Sequence, residues 1–224
     1  MLVAVLADGM GGHTAGALAA QTICTTFVDA FVEHDGLAAE RLQAALFASN
    51  DKLSEKVRED SDLEGMGATT VGLALGRWGA HWISVGDSPL YLYRAGELVV
   101  LNEDHSMAPV LDKMAERGEI SRADAKSDAR RHFLRSAVSG TEIELIDRSV
   151  MPLALENGDY IIAASDGIQT LDEEQIARTI TASEHAGPDG VAKALIAAVE
   201  AAKHPYQDNA TLLVLRAAPA ADKA

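Results

Sequence analysis

GATTVGLALGRWGAHWISVGDSPLYLYRAGELVVLN, residues 67–102, is the stretch that decides the fold. It holds four short β-branched and aromatic runs, separated by Gly79, by Asp87-Ser88-Pro89 and by Ala95-Gly96. Short strands joined by tight turns predict an antiparallel meander. On the N-terminal side, residues 2–7 form a continuous apolar run, which predicts a strand buried on both faces. A Gly-rich turn, GMGGHTAG, follows it. Helical periodicity then covers residues 15–32 and 37–58, with Leu42, Ala45, Leu46, Ala48 and Leu53 near one face of the second helix. Gly36 punctuates the two, as a glycine after a helix C-terminus does.

On the C-terminal side, Asp104-His105-Ser106 introduces a helix that Gly118 ends. Residues 119–134 are polar and short of core residues, which predicts a partly helical, mobile excursion from the main body. Sheet returns over 143–149 and 159–164. Asp172 and Gln175 have the spacing of a capping box, a last helix covers 191–202, and a last strand covers 210–216. The Ala-rich end, residues 218–224, is expected to be a disordered tail. With no repeat and no linker, residues 1–217 read as one α+β domain with mixed or antiparallel sheets.

The 224-residue chain is 48% hydrophobic, enough for a substantial core. Nineteen Lys and Arg against 34 Asp and Glu give a net charge of −15. That balance repels phosphate backbones and anionic headgroups, so neither nucleic acid nor a membrane is an expected partner. Cys24 is the only cysteine, which forbids an internal disulfide and fits a reducing, cytoplasmic setting. Its apolar helical surroundings predict a buried structural thiol. No signal peptide and no apolar run of bilayer-spanning length is expected; MLVAVLA reads as a core strand.

Three aspartates carry the chemistry: Asp8 in VLADGMGGH, Asp166 in IIAASDGI and Asp208 in QDNATLLVL. Each stands at the edge of an apolar run and is followed by Gly or Asn. Carboxylates are costly to bury alone, so strand-end aspartates that converge usually share a cation. No His/Cys cluster has zinc-like spacing, and the expected ion is therefore hard and oxygen-ligated, Mg²⁺ or Mn²⁺. Taken singly, each aspartate also has a plainer reading. Asp8 can serve a strand-to-helix turn, Asp166 a plain turn, Asp208 an Asx-turn or cap, and Asp87 the turn between two strands.

The motifs VLADGMGGHTAG, GATTVGLAL, ISVGDSPLYLYRAGEL, LNEDHS, SAVSG, ASDGI and QDNATLLVL stand in the order seen in bacterial metal-dependent, type 2C protein Ser/Thr phosphatases. The chain resembles that family from residue 3 to about 216. The resemblance implies an α/β/β/α sandwich, two antiparallel sheets flanked by helix pairs, with residues 114–134 as a mobile flap beside the site. It implies that Asp8 bridges two metal ions, that the Gly9 carbonyl ligates the second, and that Asp166 and Asp208 hold the first. Asp87 with Asp166 would form a weaker third site. A metal-activated water then attacks phosphorus in line, so no side chain acts as nucleophile. Phosphorylated proteins made by a Ser/Thr kinase are the implied partners, acted on by a monomer.

The chain also departs from the family. Members carry an upstream strand with a phosphate-gripping Arg and an acidic ligand to the second metal, whereas this sequence starts at the following strand. It is thus expected to be N-terminally shortened, either because Met1 is an internal methionine of a longer chain or as a member with weak or no activity. In the second case it would be a phosphatase-like binding module. Pro89 replaces an Arg common after GDS. His105 is expected to make a structural hydrogen bond, and Arg130, Arg131 and Arg135 to form either a solvated helix face or a phosphopeptide contact.

Overall fold

The apolar runs pair into two sheets rather than one. The computed structural model describes residues 1–205 and 207–218, so the expected tail lies, from residue 219 on, outside the described residues. The first sheet contains β1 (Leu2–Met10), β2 (Gly67–Gly76), β3 (Gly79–Val85) and β6 (Asp147–Arg148), in that order. The second contains β4 (Leu90–Arg94), β5 (Glu97–Val100), β7 (Tyr160–Ala164) and β8 (Leu212–Arg216), in the order β5-β4-β7-β8. Every pairing is antiparallel.

Residues 67–102 therefore do not form a single meander. β2 and β3 make one hairpin and β4 and β5 another, the second closed by Ala95 and Gly96 at φ 51° and 91°. The GDSP segment between the hairpins carries the chain from one sheet to the other. The reason is burial on two faces. Val71 and Leu73 of β2 meet Leu90 and Leu92 of β4 in a core between the sheets, joined by Leu6, Ile161 and Ala163. One flat sheet would leave one of those faces in water.

Helices cover the outer faces. α1 (His13–Glu33) and α2 (Ala38–Glu59) bury Ile23, Phe27, Leu42 and Leu46 against the first sheet. α5 (Glu173–Ser183) and α6 (Gly187–Ala202) bury Ile176, Ile180, Val191 and Leu195 against the second. The α/β/β/α sandwich is thus present. Over Thr14–Glu33, α1 is long and apolar enough to pass a spanning test by length and composition, contrary to the sequence expectation. Its packed face makes it a core helix. Cys24 on this helix is half-buried rather than buried, with its thiol pushed up by burial.

Three local expectations need adjustment. β1 does touch both cores, through Val3, Val5 and Ala7 on one face and Ala4 and Leu6 on the other. As the outermost strand, however, it fully buries only Leu6. The strand expected over 143–149 reduces to Asp147 and Arg148, which alone pair in a ladder with Ser84 and Ile83, while Ser149 adds a single backbone bond to the Trp82 carbonyl. The excursion after α3 (Ala108–Glu116) holds α4 (Arg122–Ser127) and a 3₁₀ turn, Ala129–His132. Arg131 forks onto Asp112 of α3 with both contacts at 2.8 Å, and Arg130 pairs with Asp128, so two of the three clustered arginines are neutralised locally.

Candidate metal centre

Four chain segments far apart in sequence meet at one end of the sandwich. Asp8 comes from the last turnless part of β1, opposite Thr69 of β2. Asp87 sits in the crossing between the sheets, Asp166 opens a 3₁₀ turn directly after β7, and Asp208 precedes β8. All four line one cavity of about 600 Å³ with Gly9, and His132, Phe133 and Leu134 of the excursion form an opposing wall. Among the described residues, no lysine or arginine lines it.

Close backbone contacts fix this geometry. A Cβ on Gly9 would lie 2.0 Å from the Gly16 carbonyl oxygen, so the strand end and the start of α1 touch only because both residues are glycine. A Cβ on Gly167 would lie 2.3 Å from the Asn209 carbonyl oxygen, which brings Asp166 beside Asp208. The Ser165 hydroxyl seals that junction, donating to the Asn209 carbonyl at 3.2 Å and accepting from Thr211 N–H at 2.9 Å. Around Asp87, buried His105 accepts from Gly86 N–H through Nδ1 at 3.2 Å, and its backbone N–H donates to the Gly86 carbonyl at 3.1 Å. The acceptor role at Nδ1 requires a neutral ring with its proton on Nε2. His105 thus makes the structural hydrogen bond expected of it. Asn102 braces the same crossing: its Oδ1 accepts from Leu90 N–H at 2.7 Å and its Nδ2 donates to the Ser88 carbonyl at 3.0 Å.

The electrostatics are unfavourable without a counter-charge. Burial, then Asp166 and Asp208, push the Asp8 carboxyl up to about 6. Burial, then Asp166, Asp104 and Asp8, push Asp87 up to about 7, and burial with Asp208 raises Asp166. Asp166 also keeps one buried carboxylate oxygen, Oδ1, with no hydrogen-bond partner among the described residues. A buried acceptor without a donor is expensive. An all-oxygen donor set with mutually repelling carboxylates suits a hard divalent cation. Among the described residues, no three acidic, imidazole or thiol side chains converge tightly enough to hold an ion by themselves. The carboxylates ring a cavity instead, which matches ions that keep part of their water shell.

Sequence comparison agrees with this geometry. Residues 1–200 match the family model described as protein phosphatase 2C. The chain belongs to the protein phosphatase 2C family, the bacterial serine/threonine phosphatases that its motifs resemble. It is 28% identical over 218 residues to the serine/threonine phosphatase stp of Listeria welshimeri, covering 95% of this chain and 83% of that one. Its fold matches the crystal structure of the Mycobacterium tuberculosis serine/threonine phosphatase PstP/Ppp with a TM-score of 0.80 at 28% identity, covering 96% of this chain and 88% of that one. The catalytic domain of PstP in complex with two manganese ions matches with a TM-score of 0.74 at 28% identity, covering 95% and 86% of the two chains.

Sequence reading singled out all four aspartates and Gly9, and the structure places them together. The wall residues His132, Phe133 and Leu134 close the 114–134 segment that the family resemblance sets beside the site, but nothing in the local sequence marks these three as the ones that line the cavity. Asn102 was passed over as part of a motif. Its position directly after an apolar run, where an amide can cap a strand end, was the one signal available.

Proposed function

We propose that this chain hydrolyses phosphoserine and phosphothreonine in proteins by way of a divalent-metal-activated water. Asp8, the Gly9 carbonyl, Asp166 and Asp208 would hold two ions, Mn²⁺ or Mg²⁺, and Asp87 with Asp166 a weaker third. Bound cations would lower the pKa of water and neutralise phosphate oxygens. The observation that carries this reading is the convergence of four carboxylates on one cavity with an orphaned Asp166 Oδ1. Gly9 and Gly167 hold the strand ends close, and His105 and Asn102 fix the Asp87 crossing, so the donor set keeps its arrangement before substrate arrives. Residues 1–217 would act as one unit with 114–134 as a flap over the cavity. The setting would be cytoplasmic, with a monomer opposing a Ser/Thr kinase.

A second reading is favoured by the absence of lysine and arginine from the described residues of the cavity lining. Without a guanidinium fork the phosphate is held less firmly, and the chain would bind phosphoproteins with weak or no turnover. Mn²⁺-dependent phosphate release from a phosphothreonine peptide separates the two. Release that disappears with chelator and returns with Mn²⁺ supports the enzyme. No release from folded protein saturated with Mn²⁺ supports the binding module.

A further inference from the structure

A second cleft opens beside the carboxylate cavity. It has a volume of about 850 Å³, within the range of ligand pockets, and Asp87 lines both. The floor is apolar: Tyr91 and Leu171 are nearly buried, while Val100 is 43% exposed. One rim carries Asp172, Glu173 and Glu174 from the start of α5, and Asp104 stands near Asp87. The facing rim belongs to the excursion, with Lys126 and Arg131. Arg131 is already held by Asp112, and Glu174 pairs with Arg178. Glu173 has no cationic partner among the described residues. Lys126 also has no ion-pair partner among the described residues, but Asp87, Asp104, Asp172 and Glu173 outnumber it. The cleft is therefore a negative, apolar-floored trough that shares Asp87 with the cavity where a phosphate would sit.

We propose, building on the phosphatase reading, that this cleft receives the chain flanking the phosphoresidue and selects substrates with arginine or lysine there. The charge balance favours a basic segment over an acidic one, and the apolar floor suits the methylene stems of those side chains. Because Asp87 lines both, the two clefts are neighbours within the reach of one extended peptide. The −15 net charge alone would attract any basic peptide, so the location of the selecting charges is what requires testing.

The test uses the full chain with Mn²⁺ and three phosphothreonine peptides flanked by arginine, alanine or glutamate. p-Nitrophenyl phosphate serves as a small substrate that does not reach the cleft. The arginine peptide should exceed the glutamate peptide about tenfold in kcat/KM at low salt, mostly through KM. The double variant Glu173→Gln/Glu174→Gln should reduce that preference at least about threefold and leave p-nitrophenyl phosphate turnover unchanged. The same charge loss on α2, Glu55→Gln/Glu59→Gln, should leave the preference intact. Equal kcat/KM for the three peptides overturns the proposal, as does a preference that survives the α5 variant. Fluorescence anisotropy of the same peptides separates the two readings. If even p-nitrophenyl phosphate is not hydrolysed, the phosphatase reading falls. Arginine-selective binding lost only in the α5 variant would then still uphold the cleft, and its absence would overturn it.

Discussion

Asp8 sits half-buried against two other carboxylates, and its conflict with them sets what substitution does. Asp8→Asn and Asp208→Asn should each lower Mn²⁺-dependent phosphate release at least about 100-fold with the circular dichroism unchanged. Wild-type turnover in either variant would remove that aspartate from the metal centre. Stability should move the other way. With metal chelated at neutral pH, the wild type carries an Asp8 carboxyl that burial, Asp166 and Asp208 push up to about 6. Asn in its place relieves that repulsion, so Asp8→Asn should gain about 1 kcal/mol in urea unfolding in chelator. A loss there would mean the carboxylate is satisfied by something other than a cation. Gly9→Ala should cost about 3 kcal/mol, because its Cβ would meet the Gly16 carbonyl oxygen at 2.0 Å.

Among the elements, β4 and the turn before β7 are tied by an ion pair between half-buried Arg94 and buried Asp159. Arg94 donates to Asp159 at 2.9 and 2.6 Å, and the Glu156 N–H donates to the same carboxylate at 2.7 Å. Burial works to raise the Asp159 carboxyl, but the Arg94 fork and the Glu156 N–H outweigh it and hold the carboxyl below its ordinary value of 3.8. A depressed folded pKa adds stability that is present above the unfolded value and lost as pH falls through the folded one. This contribution should therefore fade below about pH 4. Asp159→Asn should cost about 3 kcal/mol at neutral pH and flatten that part of the acid-unfolding curve; an unchanged acid midpoint would show that the pair contributes nothing. The elements themselves were largely legible in the sequence. The capping box of Asp172 and Gln175 forms and opens α5. The first two helices begin and end within two residues of where periodicity places them, and the last helix ends at residue 202 as expected but starts four residues earlier. The crossing at GDSP was not legible, because a tight turn and a switch between sheets use the same Gly, Asp and Pro. Which one forms depends on whether Leu90 and Leu92 find Val71 and Leu73 across the sandwich. For the same reason, the four aspartates could be marked singly as turn residues, while their convergence required the family pattern. The wall made by His132, Phe133 and Leu134 depends on where a distant excursion docks, and no local pattern encodes that.

At the scale of the molecule, two helix pairs clamp two sheets, and both sheets deliver their strand ends to one edge. The first sheet supplies Asp8, the second supplies Asp166 and Asp208, and the segment joining them supplies Asp87. A site built across a sheet–sheet junction is rigid only when both layers are packed, so cation binding and global stability should be coupled. Mn²⁺ should raise the unfolding temperature of the wild type and leave that of Asp208→Asn almost unmoved. The most direct test of the central claim is phosphate release from a phosphothreonine peptide as Mn²⁺ is titrated into chelator-treated protein. The metal-centre account predicts no release at zero metal, saturable release as Mn²⁺ rises, and loss of that response in Asp8→Asn. Release that is independent of Mn²⁺, or equal in the variant, would contradict it.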